Sequence, residues 1–435
     1  MSLLGFFRKR HLFYGWVIVA ICLATMTASY VAFYSWPVFY VAIIGDFGWG
    51  RAETALIFSV AVMTYGFASP VSGFLFDRLG PRKLFTTGTI LIASALAISS
   101  RATEVWHLSL FYGLLVGLGV SLNGFIPSST LISTWFRRRR STALGIAQMG
   151  TRDTFLLAPL IQLLILAVGW RNSYLVLAAA AVIIIIPSTF FLRTRPQDIG
   201  ALPDGDASAK GKPGQENSEA DLRGTNPSHL ATEWTLRRAM KKYEFWALFS
   251  TMLGSGLVFS AMMNHFVALI TDIGYDVLFA ANLLLVFGVA TLVGRASGFI
   301  SDLIGRELTC TGGLAANLLA LMLLLYAYTN GAAPTFLLYI AALGYGFGSG
   351  IWTPVYASAV ADIFQGENLG AIIGAINIGF GVSSSVGTWL FGFLFDIYGT
   401  YTPSIIIANL AVVMICAAIW IAAPRRFRQT GSKAY

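Results

Sequence analysis

The chain has 435 residues, of which 56% are hydrophobic and 11% charged, with a formal net charge of +9. An ordinary soluble domain carries about 25% charged residues, so this composition excludes a soluble enzyme or a soluble binding module. The positive balance does not speak for nucleic acid either, because no soluble domain is left over to present a groove.

In chain order, MSLLGFFRKRH at residues 1–11 reads as a short interfacial lead whose basic cluster stays in the cytoplasm. It does not resemble a cleaved signal, since the apolar run after it is too long and lacks a small-residue cleavage site. Twelve apolar runs follow, at 14–43, 54–76, 84–100, 105–133, 142–167, 172–192, 243–270, 276–300, 308–328, 333–358, 369–395 and 402–423. About 20 such residues cross a bilayer core as a helix, so an all-α membrane protein of twelve transmembrane helices is expected. The first run, with Pro37 inside it, is long enough to tilt or kink, and the third is short. Cys22, Cys310 and Cys416 fall within the spans and read as small apolar fillers, with no metal-ligand spacing and no disulfide framework.

Charge sorts the loops into two sides. With the N-terminus in the cytoplasm, 24 of the 29 Lys and Arg lie at the termini and in the even-numbered loops. Only Arg51, Arg101 and Arg171 lie in loops on the other side, while Arg152 and Arg295 lie inside spans. This positive-inside bias places both termini in the cytoplasm, in a multi-pass protein of the cell (inner) membrane.

Between the sixth and seventh spans the hydrophobicity collapses. Residues 201–229, ALPDGDASAKGKPGQENSEADLRGTNPSH, are rich in Gly, Pro, Ser and charge, the composition of a flexible linker. The chain is expected to divide into an N-terminal six-helix half (1–192), a cytoplasmic linker (193–242) and a C-terminal six-helix half with its tail (243–435).

The halves share a signal. GFLFDRLGPRK at 73–83 follows the second span and GFISDLIGREL at 298–308 follows the eighth, 225 residues later, and both fit G-F-x-x-D-x-x-G. Repeated halves are what transporters use to alternate a central site between two sides of a membrane. Each copy sets an aspartate, Asp77 or Asp302, at a helix end beside a Gly-containing turn. Basic residues follow, Arg78 and Arg82 in the first copy and Arg306 in the second, which can meet a neighbouring helix terminus or the anionic lipid surface. These residues are read as conformational latches.

At these loops the sequence resembles the major facilitator superfamily, and the resemblance covers the whole chain. It implies the facilitator fold, two pseudo-symmetric six-helix halves. The second copy has Leu303 where the first has Arg78, and Glu307 where the first is basic, so its basic side is weaker. Within the superfamily, YGWVIV (14–19), STWFRRRRSTALGIA (133–147), ADIFQGENLGAIIG (361–374) and the arginine of LVGRASG in the eighth span resemble the monocarboxylate transporter and oxalate/formate antiporter branch.

An ionised arginine at the centre of a span costs about 2.5–3.5 kcal/mol on insertion scales, so it should face a bundle interior or an aqueous cavity. Its planar fork can hold a carboxylate by two charge-assisted hydrogen bonds. Arg295 sits six residues before the loop at Ser301, about 9 Å of rise, and its side chain should lean toward the helix N-terminus and mid-membrane. The resemblance implies the same role, because the eighth-helix arginine is the substrate-carboxylate ligand in characterised relatives. Two plainer readings stand beside it: an ion pair with Asp302, or snorkelling to the cytoplasmic interface.

In GIAQMGTRDTFLLAP (145–159) the fifth span carries Arg152 and Asp153 where relatives typically continue with glycines. Arg152 is read as a second carboxylate ligand or as a structural charge neutralised by Asp153. A third reading makes Asp153 the proton-responsive group, a behaviour expected of a carboxylate in a low dielectric, and the sequence does not choose among the three. The resemblance has gaps here. The eleventh span lacks the lysine of the antiporters; the first has Tyr30, Tyr34 and Trp36 in place of the lysine of animal monocarboxylate transporters; Thr291 stands where those carry an aspartate.

Trp352 and Tyr356, four apart in the tenth span, match an aromatic pair of oxalate-transporting relatives, and Tyr30 and Tyr34 repeat that spacing in the first. Their polar tips can hydrogen-bond a small acid with an apolar body, or the rings are ordinary packing. Asn123, Gln148 and Asn264 are either cavity lining or interhelical hydrogen bonds. His265, toward the extracellular end, could titrate near neutrality. GLLVGLGVSLNG and GYGFGSG read as close helix crossings, and neither carries the Lys of a phosphate loop, which excludes ATP hydrolysis.

The expected function is secondary active transport of a small organic anion by alternating access, as proton-coupled symport of a monocarboxylate of the lactate or pyruvate type. Exchange of organic anions on the oxalate/formate pattern, or transport of a non-carboxylate solute such as a drug or sugar, are the alternatives. No enzyme activity, cofactor, metal site, nucleic-acid partner or obligate protein partner is expected, and the protein is expected to be a monomer in the lipid bilayer.

Overall fold

The structure is a computed structural model that describes residues 13–136, 139–199, 202, 234–331, 333–364 and 369–424, without the side chains of Arg140, Ser141, Arg152, Asp153, Thr154 and Asp302. Among the described residues ten helices are long and apolar enough to cross a membrane. Two of those runs hold a second crossing. Arg51–Ser99, at 49 residues, would be about 74 Å long as one rod, more than twice a bilayer core. Gly80 divides it at φ 73°, ψ 164°, a left-handed conformation open to glycine. Pro81 then restarts the helix, where its missing N–H leaves no bond unmade. Gly169, at φ 78°, ψ 160°, divides Ala158–Thr189 in the same way.

The twelve crossings are α1 (Gly15–Phe47), α2 (51–79), α3 (81–99), α4 (Val105–Trp135), α5 (140–168), α6 (170–189), α7 (Tyr243–Asp272), α8 (Val277–Phe299), α9 (Arg306–Asn330), α10 (Thr335–Ile363), α11 (Leu369–Tyr398) and α12 (Thr402–Ala422). They follow the twelve apolar runs of the sequence to within several residues at most ends.

Among the described residues, α1, α4 and α5 are interrupted along their length. α1 breaks at Ser35 and resumes with Pro37 in its first turn, so the kink lies where the proline is. α4 contains a π-helical stretch, Ser109–Val116, and a second break at Gly124. α5 departs from the continuous helix that its composition suggests: it is α-helical over Arg140–Gln148, 3₁₀-helical over Arg152–Leu157 and α-helical again from Ala158. The cause is local. The amide and hydroxyl of Thr151 both turn back to the Gln148 carbonyl, competing with the helix, and Pro159 lacks the N–H that would continue the ladder.

Helices in lipid gain little from burying apolar surface against each other, so close approach depends on small residues. α10 lays Gly346 and Gly350 on the α8 backbone at Phe287 and Thr291, and Gly348 on Gly313 of α9. In α4, a Cβ on Gly117 would lie 2.6 Å from the Ala61 carbonyl of α2. Both glycine-rich stretches are therefore helix crossings. The first six helices meet the last six along α2 and α11, α5 and α8, and α1 and α7.

Candidate functional site

Arg295 lies in the last turn of the Val277–Ala296 helix of α8 and is half-buried. Gly294 beside it faces the Phe347 carbonyl of α10, which presses this end of α8 against α10. Arg152 and Asp153 lie on the 3₁₀ segment of α5, and their side chains are outside the described residues. That segment is wedged between the halves. A Cβ on Gly150 would lie 2.7 Å from the Leu23 carbonyl of α1, and one on Gly288 of α8 would lie 3.2 Å from Leu156 Cδ2. The backbone thus brings the two arginine-bearing elements, α5 and α8, into direct contact.

Aromatic rings continue from this contact. Tyr30 and Tyr34 of α1 stack at 5.8 Å, and the hydroxyls of Tyr30 and Tyr65 are 2.8 Å apart. Tyr34 packs on Phe155 of α5, and Phe155 meets Phe287 of α8. In α10 the rings of Trp352 and Tyr356 lie 5.3 Å apart, and the Tyr356 hydroxyl donates to the Leu248 carbonyl of α7 at 3.1 Å. Tyr356 therefore ties α10 to α7 in this conformation.

The polar candidates separate. Asn123 is buried and donates to Ser29 Oγ and Thr89 Oγ1, both at 3.1 Å, which joins α1, α3 and α4. Asn264 is buried and donates to the Ser260 carbonyl at 2.7 Å and to Thr388 Oγ1 at 3.1 Å. Gln148 is exposed at the end of the first segment of α5. His265 is buried with both ring nitrogens engaged, Nδ1 with the Tyr401 hydroxyl and Nε2 with the Thr388 carbonyl, each at 2.8 Å. Among the described residues no group of three His, Cys, Asp or Glu could hold a metal ion. An apolar groove of about 400 Å³ between α2 and α4, lined by residues such as Met63, Phe67 and Leu114, offers an anion no charged partner.

At the end of the bundle where the linker joins, Asp77, Arg78 and Arg82 are exposed. Arg78 lies over the Phe74 ring at 4.3 Å, and Arg82 lies over Phe190, just after α6, at 4.7 Å. Arg306 donates to Asp362 at 3.1 Å and to Ser301 Oγ at 2.6 Å, tying the start of α9 to the end of α10. The Asp302 side chain is outside the described residues. Each of these contacts stays within its own six-helix set.

The halves are joined at the far end. Arg51, opening α2, donates two hydrogen bonds to Asp272 at the end of α7, and its guanidinium covers the Phe395 ring at 3.6 Å. Asp396, near the end of α11, accepts the amides of Arg51 and Ala52 at 2.9 and 2.8 Å, which satisfies two orphan donors of the α2 N-terminus. A Cβ on Gly392 would lie 2.6 Å from the Arg51 carbonyl, so α11 reaches the α2 backbone itself. About two turns further in, Ser59 and Ser385 each donate to the other's carbonyl at 2.7 and 2.8 Å.

A sequence profile described as Major Facilitator Superfamily matches residues 21–330 and 296–434. The chain belongs to the major facilitator superfamily. The facilitator is 29% identical to monocarboxylate transporter 13 of Bos taurus over 416 residues, 95% of this chain and 90% of that protein. Monocarboxylate transporter 12 of Rattus norvegicus is 25% identical, over 92% of this chain and 83% of its own length. Among solved structures, a bacterial homolog to the human lysosomal transporter Spinster, inward-facing and unoccupied, matches at TM-score 0.71 and 15% identity over 95% of this chain and 98% of that one. A D-xylose–proton symporter matches at 0.70 and 13% over 94% and 97%. The facilitator is a multi-pass membrane protein and a secondary transporter of a small organic solute, distantly related to monocarboxylate transporters.

Sequence reasoning treats Arg51 only as a loop charge and passes over Asp272 and Asp396, yet these residues join the facilitator's halves. A signal for Asp396 is present in the chain: GFLFD at 392–396 repeats GFLFD at 73–77 letter for letter.

Proposed function

We propose that the facilitator moves a small monocarboxylate of the lactate or pyruvate type together with protons. The observation that carries this reading is Arg295, a half-buried arginine near the linker end of α8 in a chain related along 95% of its length to a monocarboxylate transporter. A guanidinium held in a bundle interior binds a carboxylate more strongly than water would allow. Arg152 supplies a second cation from the other half and Asp153 the group that takes the proton. Tyr30, Tyr34, Trp352, Tyr356, Asn123 and Gln148 line or support the space between them.

The charge bias of the loops puts the linker and both termini in the cytoplasm. The joined Arg51 end then faces outward, so the halves meet on the outer side. Halves 1–192 and 243–435 rock against each other, with 193–242 as the linker. Asp396 caps α2 when the outer end is closed. Asp77 ends the same GFLFD string at the other end of α2 and takes the α11 N-terminus near Leu369 when the inner end closes. Arg78, Arg82, Asp302 and Arg306 steady the helix pairs on which that cap depends.

Exchange of two organic anions is the second reading, favoured by the seating of the Arg152 segment directly on α8. Purified protein in proteoliposomes separates the two. Uphill uptake of labelled lactate or pyruvate driven by an imposed proton gradient supports symport, whereas uptake only into vesicles preloaded with oxalate, formate or another acid supports exchange. No carboxylate flux across a wide panel overturns the substrate class, and full transport by a folded Arg295→Ala variant overturns that residue's role.

A further inference from the structure

One contact between the halves lies mid-membrane rather than at an end. Phe155 of α5 and Phe287 of α8 meet edge to face, with centroids 5.6 Å and planes 82° apart, and each is 1% exposed. Tyr34 covers Phe155 at 5.6 Å and Phe259 covers Phe287 at 6.3 Å. These outer two rings are only partly buried, in contrast to the two that they cover. Because Leu156, next to Phe155, sits against Gly288, next to Phe287, the contact is held by the approach of two backbones.

Its position along the helices is informative. Phe287 precedes Arg295 by eight residues on α8, about 12 Å of rise, and Phe155 follows Arg152 by three residues on α5. Side chains on a helix lean toward its N-terminus, which on α8 is the direction of Phe287. An arginine side chain extended in that direction would take up much of that interval, leaving the length of a short organic acid.

The geometry points to a length limit: the Phe155–Phe287 bridge, faced by Tyr34 and Phe259, is the ceiling of the anion site and sets the chain length of the acid it accepts. This inference rests on the carboxylate reading above. The carboxylate lies toward Arg295 and the apolar end against the rings, so short monocarboxylates fit and longer ones meet a packed wall. Truncating Phe287 lets the covering rings retreat and admits further methylenes, each worth about fourfold in affinity once it has room.

The test is competition by straight-chain monocarboxylates from acetate to octanoate against the labelled acid that the reconstituted wild type takes up best. In the wild type, affinity is expected to rise with length through the short acids and to fall for hexanoate and octanoate. In Phe287→Ala the fall moves to longer acids, with a gain of about fourfold per accommodated methylene, and Phe287→Leu moves it by less in the same direction. A purely structural loss lowers affinity for every acid in proportion and leaves the break where it was. If Phe287→Ala does not fold, Phe287→Leu carries the test. An unchanged break in the folded variants, with the wild type transporting carboxylates, overturns the ceiling. A wild type that moves no carboxylate overturns the reading beneath it as well.

Discussion

Arg51 and Asp272 hold each other by two parallel hydrogen bonds, 2.6 and 2.7 Å long, across the boundary between the first six helices and the last six. Their side chains are 16% and 24% exposed, so water screens the pair only partly. A fork of this kind is charge-assisted and geometrically demanding, and it must break before the halves can part at that end. We expect Asp272→Asn to weaken the closed outer end by about 1–2 kcal/mol, roughly a tenfold shift in population. The readout is labelling of Ser385→Cys, at the inner edge of the same contact, by a membrane-impermeant thiol reagent in a background without Cys22, Cys310 and Cys416. Equal labelling rates with and without Asp272→Asn would show that the fork does not govern closure.

The two GFLFD strings predict opposite effects of equivalent substitutions. Loss of a helix N-cap costs about 1 kcal/mol, a shift of roughly fivefold. With the same Ser385→Cys probe, Asp396→Ala should speed labelling by about that factor, because α2 loses its cap at the outer end. Asp77→Ala should slow it, because the inward-closed state loses its cap instead. Shifts of the same sign in both variants would sink the exchange of caps.

Arg306 and Asp362 make a test of stability rather than of transport. Their side chains are 12% and 23% exposed, and they tie α9 to α10 within one half. Arg306→Gln is expected to lower the unfolding free energy by about 1–2 kcal/mol. Thermal unfolding of the purified protein, in a cycle with Asp362→Asn, should give less than the sum of the two single losses. Strict additivity would mean that the pair is not coupled.

Helix crossings offer a contrast between two glycines. At Gly350 a Cβ would fall on the Thr291 backbone of α8, which cannot move aside as a side chain can, whereas at Gly374 in α11 nothing lies within 4 Å. Gly350→Val should cost about 1–3 kcal/mol or more and lower the yield of folded protein. Gly374→Ala should leave thermal stability within about 0.5 kcal/mol. Comparable stability of the two variants would remove the case for backbone contact between α8 and α10.

Much of the architecture is legible along the chain because each crossing satisfies its own backbone hydrogen bonds and shows only apolar side chains to lipid. Run length, loop charge and the repeated Gly-Phe-x-x-Asp motif are local properties, and the turns at Gly80 and Gly169 fall where the apolar runs end. The α5 break is less legible. No proline or glycine falls within TRDTFLL itself, and the interruption reflects a Thr151 hydrogen-bonding choice and the crowding of Gly150 against α1, with Pro159 marking where the helix resumes. The role of Arg51 is not legible at all from its loop, since its partners Asp272 and Asp396 lie 221 and 345 residues away.

The sequence by itself determined that this protein crosses a membrane twelve times, that its two sets of six helices flank a polar linker, and that two arginines enter the apolar spans. Those statements follow from composition and from the length of helix a bilayer demands. Which end is joined, which aspartate caps which helix, and which rings stand between Arg295 and the closed end were decided only by tertiary structure. The reason is that such contacts pair groups from separate helices, and their energies depend on distances that no local pattern encodes.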